Sequence, residues 1–210
     1  MALVLAFVAV SAPAEAQVGS IAGTVTLEPP PPPRRTANRY PGGAPRAETG
    51  QHVPAVVYVV GATGRSAAAA SSLEMVQQDT AFAPAAIFVP LGGSVDFPNA
   101  DPFFHNVFSY SSSRRFDLGR YPQGQAKSVT FEEPGVVSVF CEVHEKMRGV
   151  IVVTENPHNA VVAEDGSFRI EGVPAGEHEI VFWSADHDPV QQTVVVTAAQ
   201  TSQVDVELNR

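Results

Sequence analysis

Short runs of alternating apolar and polar residues, separated by glycine, proline, asparagine or aspartate, follow one another along most of this chain. The clearest runs lie at 95–97, 105–110, 128–131, 136–141 and 150–153, and near the C-terminus in GSFRIEGV, GEHEIVFW, QQTVVVTA and SQVDVEL. Short strands at such close spacing are typical of a β-sandwich or barrel. No region of the sequence has a sustained helical period. The sequence therefore predicts an all-β protein.

The first 16 residues have the pattern of an export signal. An apolar run, ALVLAFVAVSAPAEA, ends in Ala14-Glu15-Ala16, which is typical of a cleavage site with cutting after Ala16. The run is shorter than a membrane-spanning helix, and no other segment approaches that length. We therefore expect a signal peptide at 1–16, a periplasmic or otherwise exported protein, and no membrane span.

Acidic residues are concentrated near the C-terminus. Residues 17–153 contain 11 basic and 11 acidic side chains, whereas residues 154–210 contain ten acids and two arginines. A net-negative chain without basic stripes is a poor binder of nucleic acid. We therefore expect no nucleic-acid partner, and an acidic surface that favours solubility.

The only cysteine, Cys141, is followed by His144 and Met147 in FCEVHEKMRGVIVV (residues 140–153). One cysteine excludes a disulfide within the chain, and a free thiol in an exported protein is a liability unless it is buried or coordinated. A thiolate, an imidazole and a thioether form a soft ligand set that favours copper, whereas zinc sites rarely use methionine. Because Cys141 ends a predicted strand, the short loop after it can bring all three side chains around one ion.

A second imidazole is available in NADPFFHNVFSYS (residues 99–111), where His105 is predicted to begin a strand after a turn-rich loop. A dry shell around a metal ligand excludes water. The residues expected to provide that shell are Phe103, Phe104, Val107 and Phe108.

Two segments, AIFVPLGGSVDFPNADPFFHNVFS and FEEPGVVSVFCEVHEKMRGVIVV, together resemble the cupredoxins, the small blue-copper proteins. The second is especially similar to amicyanin, which has the same Cys-x-x-His-x-x-Met spacing followed by Arg-Gly. The resemblance covers roughly 76–153 and implies a Greek-key β-sandwich or barrel with one type 1 copper ion. It implies that Asn106 joins the two ligand loops by hydrogen bonding. The copper ligands that it implies are His105, Cys141 and His144 in the equatorial plane and Met147 as the weak axial ligand.

The two ends of the chain resemble a second family. GTVTL (23–27), AVVYVVG (55–61) and AVVAEDGSFRIEGVPAGEHEIVF (160–182) are similar to the carboxypeptidase regulatory-like domain, a transthyretin-like β-sandwich. We therefore predict N-terminal strands of this sandwich with a Pro-rich loop at 17–70, a cupredoxin domain at 71–153, and the rest of the sandwich at 154–210. This arrangement inserts the cupredoxin into the other domain. In the alternative, a tandem arrangement, the N-terminal strands complete the cupredoxin.

The ligand set leaves no open position for a substrate, unlike a catalytic metal site. We therefore expect an electron carrier and not an enzyme, with His144 as the electron exit. The expected partner is a redox protein such as a cytochrome or a dehydrogenase. Two alternatives stay open: an envelope protein that carries or sequesters copper with the same ligands, and an adhesive or carbohydrate-binding module built on the second sandwich. A buried apolar thiol is the competing interpretation of Cys141 alone.

Overall fold

The structure, a computed structural model, describes residues 17–30, 50–61 and 73–210, and these contain eighteen strands and no helix. The all-β class is thereby confirmed. The strands in chain order are β1 (Val18–Leu27), β2 (Val56–Val59), β3 (Leu73–Glu74), β4 (Val76–Gln78), β5 (Ala81–Ala83), β6 (Ala86–Pro90), β7 (Ser94–Pro98), β8 (Phe108–Ser109), β9 (Phe116–Asp117), β10 (Ala126–Thr130), β11 (Gly135–Phe140), β12 (Arg148–Thr154), β13 (Asn159–Val161), β14 (Ser167–Pro174), β15 (Gly176–Trp183), β16 (Val190–Val196), β17 (Thr201–Gln203) and β18 (Val206–Leu208).

The predicted signal peptide at 1–16 and most of the predicted Pro-rich loop, at 31–49, lie outside the described residues. Within the described part of the chain, nothing forms a helix that could cross a membrane.

Strands from both ends of the chain form one sandwich, here called the terminal sandwich. In its first sheet β1 pairs with β14, β17 and β18, and its second sheet has the order β13-β2-β15-β16. Strands β1 and β2, which precede residue 73, therefore pair with strands that follow residue 154. Ile21, Val57, Phe168, Ile180 and Phe182 lie in the core between the two sheets.

Strands β3–β12 form the second unit, here called the central sandwich. One sheet has the order β10-β7-β3 and the other the order β6-β12-β11-β8-β9, with β4 and β5 paired as a hairpin. The core contains Phe97, Tyr121, Phe131 and Ile151, and it extends to Cys141 at one end.

The two sandwiches pack against each other through β12 and β2, which explains why both sequences are continuous apolar runs. Side chains alternate between the two faces of a strand. In β12, Ile151 and Val153 lie in the core of the central sandwich, whereas Val150 and Val152 contact Val56 of the terminal sandwich. Strand β12 therefore contributes side chains to two apolar clusters at once. Burying one valine side chain fully stabilises a fold by about 1.5–3 kcal/mol.

The predicted strand at 105–110 is wrong in extent, because only Phe108–Ser109 is strand. His105 forms an isolated bridge with Tyr121, and the Leu118 N–H donates to the Val107 carbonyl at 2.9 Å. Between the pairs Phe108–Asp117 and His105–Tyr121 there are two residues on one side and three on the other, so one extra residue forms a β-bulge, and Gly119 in the bulge has a φ of 62°. The bulge ends the regular ladder before it reaches His105.

Candidate metal centre

The loop with Cys141, His144 and Met147 connects β11 to β12. Cys141 follows the last residue of β11, and Met147 precedes the first residue of β12. The Cys141 N–H donates to the Met147 carbonyl at 3.2 Å, and the Met147 N–H donates to the His144 carbonyl at 2.9 Å. The paired strands thus close the loop on itself, and its three side chains lie at one end of the sandwich.

The backbone of His105 is fixed by two hydrogen bonds with Tyr121. The Tyr121 N–H donates to the His105 carbonyl at 2.8 Å, and the His105 N–H donates to the Tyr121 carbonyl at 3.2 Å. The buried Asn99 side chain donates to the carbonyls of Phe103 and Tyr121 at 2.9 and 3.0 Å. The loop before His105 is therefore held at both of its ends.

His105, Cys141 and His144 converge on one point. The Nδ1 atom of His105 lies 3.5 Å from the Cys141 Sγ and 3.1 Å from the Nδ1 of His144, and the Cys141 Sγ lies 3.9 Å from that Nδ1. Within the described ranges, this is the one group of three or more His, Cys, Asp or Glu side chains close enough to share an ion. His105 and Cys141 are buried, whereas His144 is partly exposed.

Met147 is the fourth predicted ligand. Its side chain is fully buried and belongs to the same core cluster as Cys141. The structure therefore brings together three of the four predicted side chains and places Met147 in the adjoining core, and their assignment as ligands stays a prediction.

Asp101 lies behind His105, and sequence analysis did not identify it. Its Oδ2 is 2.7 Å from the Nε2 of His105, and its carboxylate accepts the N–H groups of Asp79 and Thr80 at 2.8 and 3.0 Å. Burial by itself would raise the pKa of Asp101, but the hydrogen bonds from Thr80, His105 and Asp79 outweigh burial and hold that pKa below its usual value. The signal available in the sequence was a carboxylate four residues before His105, because metal-binding histidines commonly donate their other ring N–H to a carboxylate.

Asn106 joins the two ligand segments. Its side chain is buried, and its Oδ1 accepts the Glu142 N–H at 2.7 Å. This hydrogen bond connects the residue after His105 with the residue after Cys141.

The environment of His144 favours its neutral form. Burial and the neighbouring His105 lower the pKa of His144, while Asp101 acts in the opposite direction more weakly. A neutral imidazole has the free lone pair that a metal needs.

The apolar shell differs from the one expected. Val107 is fully buried and the Phe103 ring lies 5.2 and 5.3 Å from the rings of His105 and His144, but Phe104 is 55% exposed. Phe103 and Val143 are also about 40% exposed beside the site. Exposed apolar side chains therefore lie next in sequence to His105 and His144, and the Phe103 ring lies close to the His144 ring.

The donor atoms fit copper. Asp101 is hydrogen-bonded to the Nε2 of His105. The Nδ1 of His105 is therefore the atom that faces the Cys141 sulfur and the Nδ1 of His144. The donors are two imidazole nitrogens and a thiolate, and a thioether is buried in the adjoining core. Copper prefers this set in proteins that bind it with a weak axial ligand.

Comparison with known families agrees with both resemblances. The sequence profile of the copper binding proteins of the plastocyanin/azurin family matches residues 69–154, and that of the carboxypeptidase regulatory-like domain matches residues 146–209. Both resemblances are thereby confirmed, and the domain bounds predicted above (17–70, 71–153 and 154–210) stay a prediction. No curated protein matches the chain.

Solved structures of copper proteins are similar to part of the chain. A Cu-containing nitrite reductase from Thermus scotoductus SA-01 matches at 23% identity and a TM-score of 0.39, over 44% of this chain and 25% of its own. A purple cupredoxin from Nitrosopumilus maritimus matches at 21% identity and a TM-score of 0.36, over 40% of this chain and 100% of its own. A proline-to-glycine variant of amicyanin in its reduced Cu(I) form matches at 23% identity and a TM-score of 0.37, over 46% of this chain and 97% of its own. This chain therefore spans a quarter of the length of the nitrite reductase.

Proposed function

We propose that this chain, which combines a copper-binding domain of the plastocyanin/azurin family with a carboxypeptidase regulatory-like domain, is a type 1 copper protein that transfers single electrons between redox partners. The observation that supports the proposal most directly is the convergence of the Cys141 sulfur with the Nδ1 atoms of His105 and His144. Copper bound by these residues would supply the redox chemistry by alternating between Cu(II) and Cu(I).

The protein side chains around this point are arranged so that little has to move. Asp101 holds the ring of His105, Asn106 holds the backbone after Cys141, and the hydrogen bonds between Cys141 and Met147 hold the loop. A site whose ligands keep their positions suits both oxidation states, which favours fast electron exchange.

The same arrangement argues against turnover of a substrate. The side chains of His105, Cys141 and Met147 are all buried, so none of them is open to solvent or to a cleft. A catalytic metal site keeps an open coordination position, and these ligands leave none on the buried side. We therefore propose a carrier and not an enzyme.

His144 is the proposed route for the electron. It is partly exposed, and Phe103, Phe104 and Val143 form an apolar surface beside it. A redox protein such as a cytochrome or a dehydrogenase could place its own centre close to His144 by covering this surface. The export pattern at 1–16 supports the proposal that this exchange takes place in the periplasm or elsewhere outside the cytoplasm.

A visible absorption spectrum tests the proposal. Oxidised, copper-loaded protein should be intensely blue, and Cys141→Ser should lose the colour while the metal-free fold, followed by circular dichroism, is unchanged. His52→Ala is the matched control, because His52 is exposed and lies outside the site, and this variant should stay blue. A colourless copper-loaded wild type would refute the type 1 assignment.

A second measurement separates electron transfer from copper delivery. If the protein exchanges electrons rapidly with a small cytochrome and retains its copper, the result supports the proposal that it is an electron carrier. Transfer of copper to a chelating acceptor without electron exchange would instead support a protein that carries or sequesters copper.

A further inference from the structure

Gln51 belongs to the segment that leads into β2 of the terminal sandwich, yet its side chain binds the central sandwich. Its Oε1 accepts the Phe82 N–H at 2.9 Å, and its Nε2 donates to the Phe82 carbonyl at 2.5 Å. Phe82 lies in β5 and is buried in the same core cluster as Cys141 and Met147. The amide of one glutamine thus pairs with both polar groups of a core residue, and this pairing fixes the position of Gln51.

The backbone of Gln51 contacts the ligand loop on both sides of Met147. Its N–H donates to the carbonyl of Lys146 at 3.1 Å, and the Nε of Arg148 donates to its carbonyl at 3.5 Å. The residues immediately before and after Met147 are therefore tied to a single residue, which lies outside the loop and outside the central sandwich.

A second tie connects the same end of the loop to the terminal sandwich. The Nη1 of Arg148 lies 2.8 Å from the Oδ2 of Asp186, which follows β15. Both partners are partly exposed, so this ion pair contributes little stability by itself. Its effect is geometric, because the same guanidinium group contacts both the Gln51 carbonyl and Asp186 of the terminal sandwich.

We propose that Gln51 is a positioning residue for Met147, through which the terminal sandwich restrains the ligand loop and sets the reduction potential of the centre. The part that concerns the potential rests on the proposed function. Inside the loop, the backbone of Met147 makes two hydrogen bonds, to Cys141 and to His144. A weak axial ligand responds strongly to small displacements, and surrounding residues that hold a ligand tune the metal it binds.

Amide exchange in the metal-free full-length chain tests the restraint without copper. Gln51→Ala removes both bonds to Phe82, and exchange at the Met147 and Cys141 amides should become about tenfold faster, as expected for the loss of roughly one hydrogen bond's net contribution. The Val150 amide, which donates to the Ala85 carbonyl in the neighbouring ladder, should keep its rate.

Gln191→Ala is the matched control. Gln191 is also a glutamine of the terminal sandwich, and its Nε2 donates to the Oε2 of Glu179 at 2.9 Å on the surface. This variant should leave the exchange of the Met147 amide unchanged. Gln51→Glu replaces the donor by a carboxylate oxygen that faces the Phe82 carbonyl, so it should also speed the exchange of the Met147 amide, and it decides the matter if Gln51→Ala does not fold. Equal rates at Met147 in the wild type and the Gln51 variants would overturn the restraint.

The copper-loaded proteins then test the effect on the metal. The reduction potential should shift in Gln51→Ala and stay at the wild-type value in Gln191→Ala. An unchanged potential in Gln51→Ala would overturn the role in tuning. If the wild type binds copper without becoming blue, the proposed function fails, and the exchange comparison alone decides whether Gln51 restrains the loop.

Discussion

Replacing Asp101 by alanine removes three hydrogen bonds from one buried carboxylate. Without the carboxylate, the Nε2 of His105 lies buried and has no acceptor, which costs about 1–3 kcal/mol. The bonds from the N–H groups of Asp79 and Thr80 lie at an exposed turn, where water can replace the carboxylate, and each contributes about 0.5–1.5 kcal/mol. The free energy of unfolding of the metal-free protein should therefore fall by about 2–6 kcal/mol, as measured by urea denaturation.

The same change should weaken copper binding. Removing a group that orients a metal ligand typically lowers metal affinity by about 10–100-fold, so a competition titration of Asp101→Ala should show a loss in this range. Asp205→Ala is the control, because the Oδ1 of Asp205 accepts both the N–H and the hydroxyl of Thr24, at 2.9 and 2.8 Å, in the terminal sandwich. This control should keep wild-type copper affinity. Wild-type stability and copper affinity in Asp101→Ala would refute the argument that Asp101 holds the His105 ring.

Three other changes give separate tests. Met147→Leu should keep copper but raise the reduction potential, because a weak donor to Cu(II) is lost. A reduction potential equal to that of the wild type, measured by voltammetry, would remove Met147 from the ligand set. Asn106→Ala removes the acceptor of the Glu142 N–H, so exchange of that amide should become about tenfold faster in metal-free protein, and an unchanged rate would contradict the tie between the two segments. Hydrogen bonds from Thr24 hold the pKa of Asp205 below its usual value, so this carboxylate stabilises the fold at neutral pH and the contribution is lost as the pH falls below about 4. Urea denaturation of Asp205→Asn at a series of acidic pH values should therefore show a flatter decline than the wild type, and an equally steep decline would exclude this role.

Sequence analysis was most informative where chemistry is local. Cys141, His144 and Met147 fall within seven positions, and their spacing suffices to predict that they face one point once a strand is predicted to end at Cys141. A continuous apolar run such as that of β2 is typical of a strand buried on both faces, and Val57 and Val56 lie in two different clusters. Both features depend on periodicity and residue type alone.

The sequence signal for Asp101, a carboxylate four residues before His105, is too common to select this residue by itself. Acidic residues are common in turn-rich loops, and nothing local distinguishes a carboxylate that points inward from one in solvent. Asp101 is buried because it accepts the N–H groups of Asp79 and Thr80, two residues with φ of 56° and 59° in the turn between β4 and β5. That turn is about 20 positions away, so the burial of Asp101 appears only in the folded chain.

The contacts of Gln51 could not be predicted from the sequence for a similar reason, because they depend on how the two sandwiches pack. Arg148, which contacts its carbonyl, is 97 positions away in the sequence. What fixes the distance in space is the apolar cluster between the sandwiches, because Val53, two residues after Gln51, packs there with Val150 and Val152 of β12. Strand β12 begins at Arg148, directly after Met147. The same strand thus packs against the terminal sandwich and continues from Met147, the predicted axial ligand, so the apolar pattern of β12 links the burial of the interface to the position of Met147.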